Sequence, residues 1–178
     1  MKAIVYTSNT GHTAEYAGIL SKQTGLPVYS LDRAVKELEK GTAIIYLGWL
    51  FANSVKGYQK AAKLFAVSAV CGVGLCDTGT LLDEVRKTIA LPESIPLFTL
   101  QGGIDRSKLK GIHRFMIHML TKGLSSQKKR SEQDAHMLAL LTENANYVRE
   151  AHTAAFMEWF RNQGEHHLSS WKNSGVSL

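Results

Sequence analysis

The sequence predicts an α/β fold: a doubly wound, five-stranded parallel sheet with helices on both faces. Three observations predict it. Short runs rich in Val, Ile, Leu and Tyr recur through the first hundred residues and read as strands buried on both faces. Each is followed by a turn or loop, and most of these lead into a segment whose apolar residues recur at helical spacing. The chain, at 178 residues, is long enough to bury one core without metal or disulfide staples. One domain over 1–164 and a C-terminal tail over 165–178 are expected.

The first strand is Lys2 to Tyr6, followed by Thr7-Ser8-Asn9-Thr10-Gly11-His12-Thr13 and a helix from Thr13 to about Thr24 that Gly25 stops. Leu26 to Leu31 reads as the second strand, with Pro27 at its start, and Asp32 as the cap of a short helix from Arg33 to Glu39. Thr42 to Leu47 is a third strand, Gly48 to Ser54 a loop, and Lys56 to Phe65 a helix. Val67 to Leu75 passes through a glycine-containing turn into a helix over Thr80 to Ile89. The fifth strand, Ile95 to Leu100, ends at Gln101-Gly102-Gly103. An amphipathic helix is expected from Ser107 to about Gly123, a polar loop over Ser125 to Asp134, and a long helix from Leu138 to Phe160 that covers the sheet and stops at Gly164.

The loop after the first strand holds the strongest chemical signal. Hydroxyl and amide side chains crowd around Gly11 where a helix begins, and unpaired N–H groups with the positive end of the helix dipole favour a phosphate there. A plain helix cap by Thr10 or Thr13 is the alternative. Trp49 and Phe51 follow the third strand at the edge where open parallel sheets bind ligands; closing the end of the core is their other reading. His166 and His167 lack a third ligand nearby, and Cys71 and Cys76 match neither a disulfide framework nor a zinc pattern, so both cysteines are read as packed thiols.

The net charge of +6 is localised: residues 101–130 supply +7 and the rest of the chain −1. Such a block suits an anionic partner, an anionic substrate or a membrane surface. Aromatic residues do not interleave with it beyond Phe115, which disfavours nucleic acid. No apolar run is long enough to span a bilayer, and no basic region with an apolar signal precedes the first strand. A cytoplasmic location is expected, with contact to the inner membrane face as an open alternative.

Ser8-Asn9-Thr10-Gly11-His12-Thr13 resembles the phosphate loop of flavodoxins, and Tyr46-Leu47-Gly48-Trp49 and Cys71-Gly72-Val73-Gly74 fall where that family has its two ring-binding loops. The resemblance covers residues 1–122 and implies strand order 2-1-3-4-5, with FMN at the C-terminal ends of strands one, three and four. By that resemblance Ser8, Asn9, Thr10, Gly11, His12 and Thr13 hold the phosphate, and Gly48, Trp49, Leu50 and Phe51 face Gly72, Val73, Gly74 and Leu75 across the ring. His12 stands where Asn is frequent and is expected to add positive charge. Gly111 to Lys122 resembles the basic, apolar segment after the last strand in menaquinone-dependent protoporphyrinogen oxidases, flavodoxin-like enzymes of the membrane face. The implied activity is an FMN-dependent oxidoreductase or electron-transfer protein, quinone-linked, in which no protein acid or base is catalytic. A flavin-free module that uses residues 106–130 to bind an anionic partner or membrane surface is the alternative.

Overall fold

The computed structural model describes the backbone of residues 1–109, 111–127, 129 and 131–173, and the side chains of these up to residue 163 except residue 133. Lys110, Lys128 and Arg130 of the basic block, and the side chains of His166 and His167, lie outside that set.

Strands β1 (Ala3–Thr7), β2 (Val28–Ser30), β3 (Ala43–Phe51), β5 (Ala66–Gly74) and β6 (Leu97–Gln101) form a parallel sheet in the order β2-β1-β3-β5-β6. A two-residue strand, β4 (Ser54–Val55), pairs antiparallel with the end of β3. With that hairpin set aside, the order is the predicted 2-1-3-4-5 of a flavodoxin-like doubly wound fold.

Alternating side chains divide the core between the two faces of the sheet. On one face Val5, Ile44, Tyr46 and Val70 pack against Leu31 and Ala34 of α2 (Leu31–Glu37), Tyr58 and Ala61 of α3 (Tyr58–Leu64), and Val85 and Ile89 of α4 (Leu82–Ile89). On the other, Ile4, Ile45, Leu47 and Cys71 meet Tyr16, Ala17 and Leu20 of α1 (His12–Thr24) and Phe156 and Met157 of α7 (Ala154–Asn173). Ile44 and Ile45 are both fully buried on opposite faces, as a strand covered on both sides requires. Cys71 is buried and Cys76 half-buried; burial raises both thiol pKa values, in keeping with packed, protonated thiols.

Several boundaries differ from the sequence expectation. Ser30, not Asp32, caps α2, its hydroxyl accepting from Arg33 N–H at 3.4 Å. Gly48 to Phe51 is not loop but the last part of β3, which runs on beyond the sheet as a hairpin. The expected polar loop is partly helical, because α5 (Gly111–Ser126) runs into it and α6 (Glu132–Thr142) begins within it. The expected long helix is broken: α6 ends at Thr142, residues 143–149 cross the sheet edge, and a 3₁₀ turn (Glu150–Thr153) leads into α7. That helix passes through Gly164 to Asn173, so the expected tail is helical over 165–173.

The crossing segment is held by backbone. Tyr147 N–H donates to the Gly102 carbonyl at 2.7 Å, and Gly103 bridges to Asn146. A Cβ on Gly103 would overlap the Ala145 carbonyl, which explains glycine there. Asn146 Nδ2 donates to Glu15 at 2.9 Å, and Asn144 Oδ1 accepts from Arg106 N–H at 2.9 Å, tying the segment to α1 and to the loop after β6.

Candidate functional site

The site lies at the C-terminal edge of the sheet, where β1 and β3 are neighbours and their connections leave in opposite directions. The loop after β1 ends at Gly11, the residue before α1, with φ 111°, a conformation that L side chains rarely adopt. No side chain caps α1. Thr10 Oγ1 instead lies 3.1 Å from His12 Nδ1, and Ser8 Oγ accepts from Gly11 N–H at 3.2 Å. Neither threonine closes the helix terminus, so the first-turn N–H groups of α1 remain free of a side-chain acceptor. Ser8, Asn9, Thr10 and Gly11 line an open cleft of about 560 Å³ together with Ser30, Asp32, Gly57 and Lys108. Free N–H groups, the Ser8 and Thr10 hydroxyls and a lysine around one cleft suit a phosphate.

His12 and Thr13 are brought to the same place but sit beneath the loop, 9 % and 2 % exposed. Burial lowers the His12 pKa, Lys108 adds to that, and Glu15 and Asp105 oppose it. The ring is therefore disposed to be neutral and adds no fixed positive charge.

Tyr46 steadies the loop from below. Its hydroxyl donates to the Lys56 carbonyl at 2.7 Å and shares a hydrogen bond with Thr7 Oγ1 at 2.8 Å. Burial pushes its pKa up to about 12. Gly57, at φ 83°, fits against both hydroxyls with no room for a Cβ.

A second, narrower space of about 80 Å³ adjoins the cleft. Asn9 and Thr10 line both; Trp49, Leu50 and Phe51 form one wall, and Val73, Gly74 and Leu75 form another. Gly48 and Gly72 do not line it. They pair within the sheet, and a Cβ on Gly72 would meet Leu50 Cδ2 at 2.9 Å. Trp49 and Phe51 are half-buried and belong to neither core cluster, so they do not close the core.

The roof of this slot was not expected. Leu109, just before α5, and His113 and Ile117 in its first two turns cover it, and the His113 ring stands edge-on to Trp49 with centroids 5.0 Å apart. α5 does not dock on the sheet as most amphipathic helices do; it packs chiefly against α6. Ile112, Phe115, Met119 and Leu120 of α5 remain 47–63 % exposed. An apolar groove of about 690 Å³ continues from the slot, sharing Leu50, Phe51, Gly74, Leu75 and Ile117 with it and reaching Phe115, Met119 and Leu120.

Lys108, His113 and Ile117 were missed as site residues. The basic, apolar pattern of 106–122 hinted at them, but their placement depends on the chain folding back after β6. Among the described residues no group of three or more His, Cys, Asp or Glu side chains could hold a metal ion, and no helix is long and apolar enough to cross a membrane. No protein-family model, curated protein or solved structure matches the chain.

Proposed function

We propose that this chain binds FMN and works as a flavodoxin-like redox protein, its phosphate held by residues 8–13 and its ring between residues 49–51 and 73–75. The observation that carries this reading is the uncapped N-terminus of α1 opening into a cleft that adjoins a slot walled by the two loops. The donor set fits a phosphate, and the two walls fit a flat ring. At about 80 Å³ the slot is smaller than a three-ring system, so side chains that line it, His113 and Ile117 among them, would have to move to admit the ring.

When bound, FMN would supply the electron chemistry. The chain's residues do the rest. Ser8, Thr10 and the α1 N–H groups fix the phosphate end, Trp49 offers an aromatic face, and the α5 roof excludes water. The apolar groove next to the slot suits an apolar acceptor such as a quinone approaching from the side of Phe51 and Phe115.

A second reading is favoured by one observation, the exposed apolar stripe of α5 beside Arg114, His118 and Lys122. It suits a flavin-free module that binds a membrane surface or an anionic partner. FMN titration into the apoprotein separates the two. Thr10→Val should weaken FMN binding while leaving the circular dichroism spectrum unchanged, and Gly11→Val, which places a side chain on a backbone at φ 111°, should weaken it further at a cost in stability. Equal affinity in wild type and both variants would refute the phosphate assignment.

A further inference from the structure

Lys108 lies on the turn between β6 and α5, yet its ammonium reaches the loop after β1: Nζ is 4.0 Å from where a Cβ on Gly11 would stand. The turn aims it there. Lys108 N–H donates to the Asp105 carbonyl at 3.1 Å, and Nζ pairs with Asp105 Oδ2 at 3.0 Å. The Asp105 carboxylate is itself fixed by the Ser107 hydroxyl and N–H, at 2.5 and 3.1 Å. Leu109, 5 % exposed, anchors the next residue and is part of the slot's roof.

The charge around the cleft makes this placement informative. Of its lining residues only Asp32 and Lys108 are charged, and Asp32 points its carboxylate at Lys60, 3.1 Å away. Lys108 is thus the one cation lining the cleft among the described residues, and its partner Asp105 is not a lining residue.

We propose that Lys108 is the counter-ion of the ligand's terminal phosphate and the residue that makes the site select a phosphorylated flavin over the unphosphorylated one. The proposal rests on the flavin reading above and deepens it. A dianionic phosphate at the α1 terminus draws Nζ towards it, and because Leu109 follows directly, occupancy of the cleft bears on the seating of α5 over the slot. The α1 terminus carries only a partial charge, so a lysine adds the larger salt-screened component.

The test titrates FMN and riboflavin into apoprotein of the wild type, Lys108→Gln and Lys108→Arg, at low and high salt, with flavin fluorescence as the readout. Lys108→Gln should weaken FMN by about tenfold at low salt, the size of one charge-assisted hydrogen bond, and leave riboflavin affinity unchanged. Lys108→Arg should restore most of the loss, and high salt should narrow the gap. Equal loss for both flavins, or no loss for FMN, overturns the assignment. The parallel arm uses inorganic phosphate, followed by ³¹P line broadening. If wild type takes up no flavin but binds phosphate and Lys108→Gln does not, the flavin reading fails and the clamp stands. If, again with no flavin uptake, both bind phosphate equally, or neither does, the assignment of Lys108 fails.

Discussion

The His113 imidazole stands edge-on to the Trp49 indole, with ring centroids 5.0 Å apart and planes at 85°. The contact joins the first turn of α5 to the end of β3 and shuts the slot between residues 49–51 and 73–75. It is a rim contact between half-buried groups, so its loss costs little of the fold. His113→Ala should therefore lower stability by only about 1 kcal/mol while raising the rate of flavin entry. Stopped-flow mixing with FMN checks this; an unchanged or slower rate would mean that the roof does not limit access.

Gly57→Ala should be costly. The added methyl would overlap the Tyr46 hydroxyl and lie 2.5 Å from Thr7 Oγ1, at a backbone φ of 83° that already disfavours a side chain. We expect a loss of about 2 kcal/mol or more in urea denaturation, together with weaker FMN binding. Tyr46→Phe removes the hydroxyl that joins Thr7 to the Lys56 carbonyl and should cost about 1 kcal/mol. A Gly57→Ala protein as stable as wild type would show that the hairpin shifts freely over the loop after β1.

The pH dependence follows from His12. Burial is the main reason that its folded pKa lies below the ordinary 6.5, with Lys108 in the same sense and Glu15 and Asp105 against. As pH falls from 6.5 towards the folded value, the unfolded chain takes up a proton that the fold resists. The contribution is present above 6.5 and lost below it. Stability should therefore decline on acidification through this window, and His12→Asn should flatten the decline. A denaturation series giving the same slope for both proteins would contradict this.

On the flavin reading, the charges near the slot bear on how a bound ring is reduced. Lys56 Nζ sits 5.3 Å from the Phe51 ring centroid, and Asp77, the one carboxylate among residues 48–54 and 72–79, accepts from Gln101 Nε2 at 3.1 Å. Negative charge arriving on the ring is thus opposed by little acid and met by a nearby cation. A redox titration should give one main two-electron step, whereas two widely separated one-electron steps would contradict the charge argument.

The sheet was legible because its strands are continuous apolar runs: Ile44-Ile45-Tyr46-Leu47 and Val70-Cys71 can only be buried on both faces, and the sheet places them so. The loop at Ser8–Thr13 was legible from residue type. The hairpin was not. Gly48 read as the end of a strand, and the reversal depends on Ala52 and Asn53 both taking positive φ, 47° and 58°, where Asn-Gly is the usual signal. The break between α6 and α7 was hidden for a similar reason. Leu138 to Phe160 keeps helical spacing, and what interrupts it is pairing of residues 146 and 147 with Gly102 and Gly103, a contact between segments far apart in sequence. Lys108 and His113 belong to that class too: their side chains meet Gly11 and Trp49 only after the chain has turned back across the sheet edge.

The claim on which the rest depends is that the cleft at Ser8–Thr13 and the slot at Trp49–Phe51 hold one flavin. The most direct measurement is the absorption spectrum of the purified full chain, recorded before and after denaturation, with the released chromophore identified by chromatography. The account predicts a yellow protein that releases FMN, or a colourless one that shifts the absorption bands of added FMN. A colourless protein whose spectrum is the sum of its own and that of free FMN would contradict it.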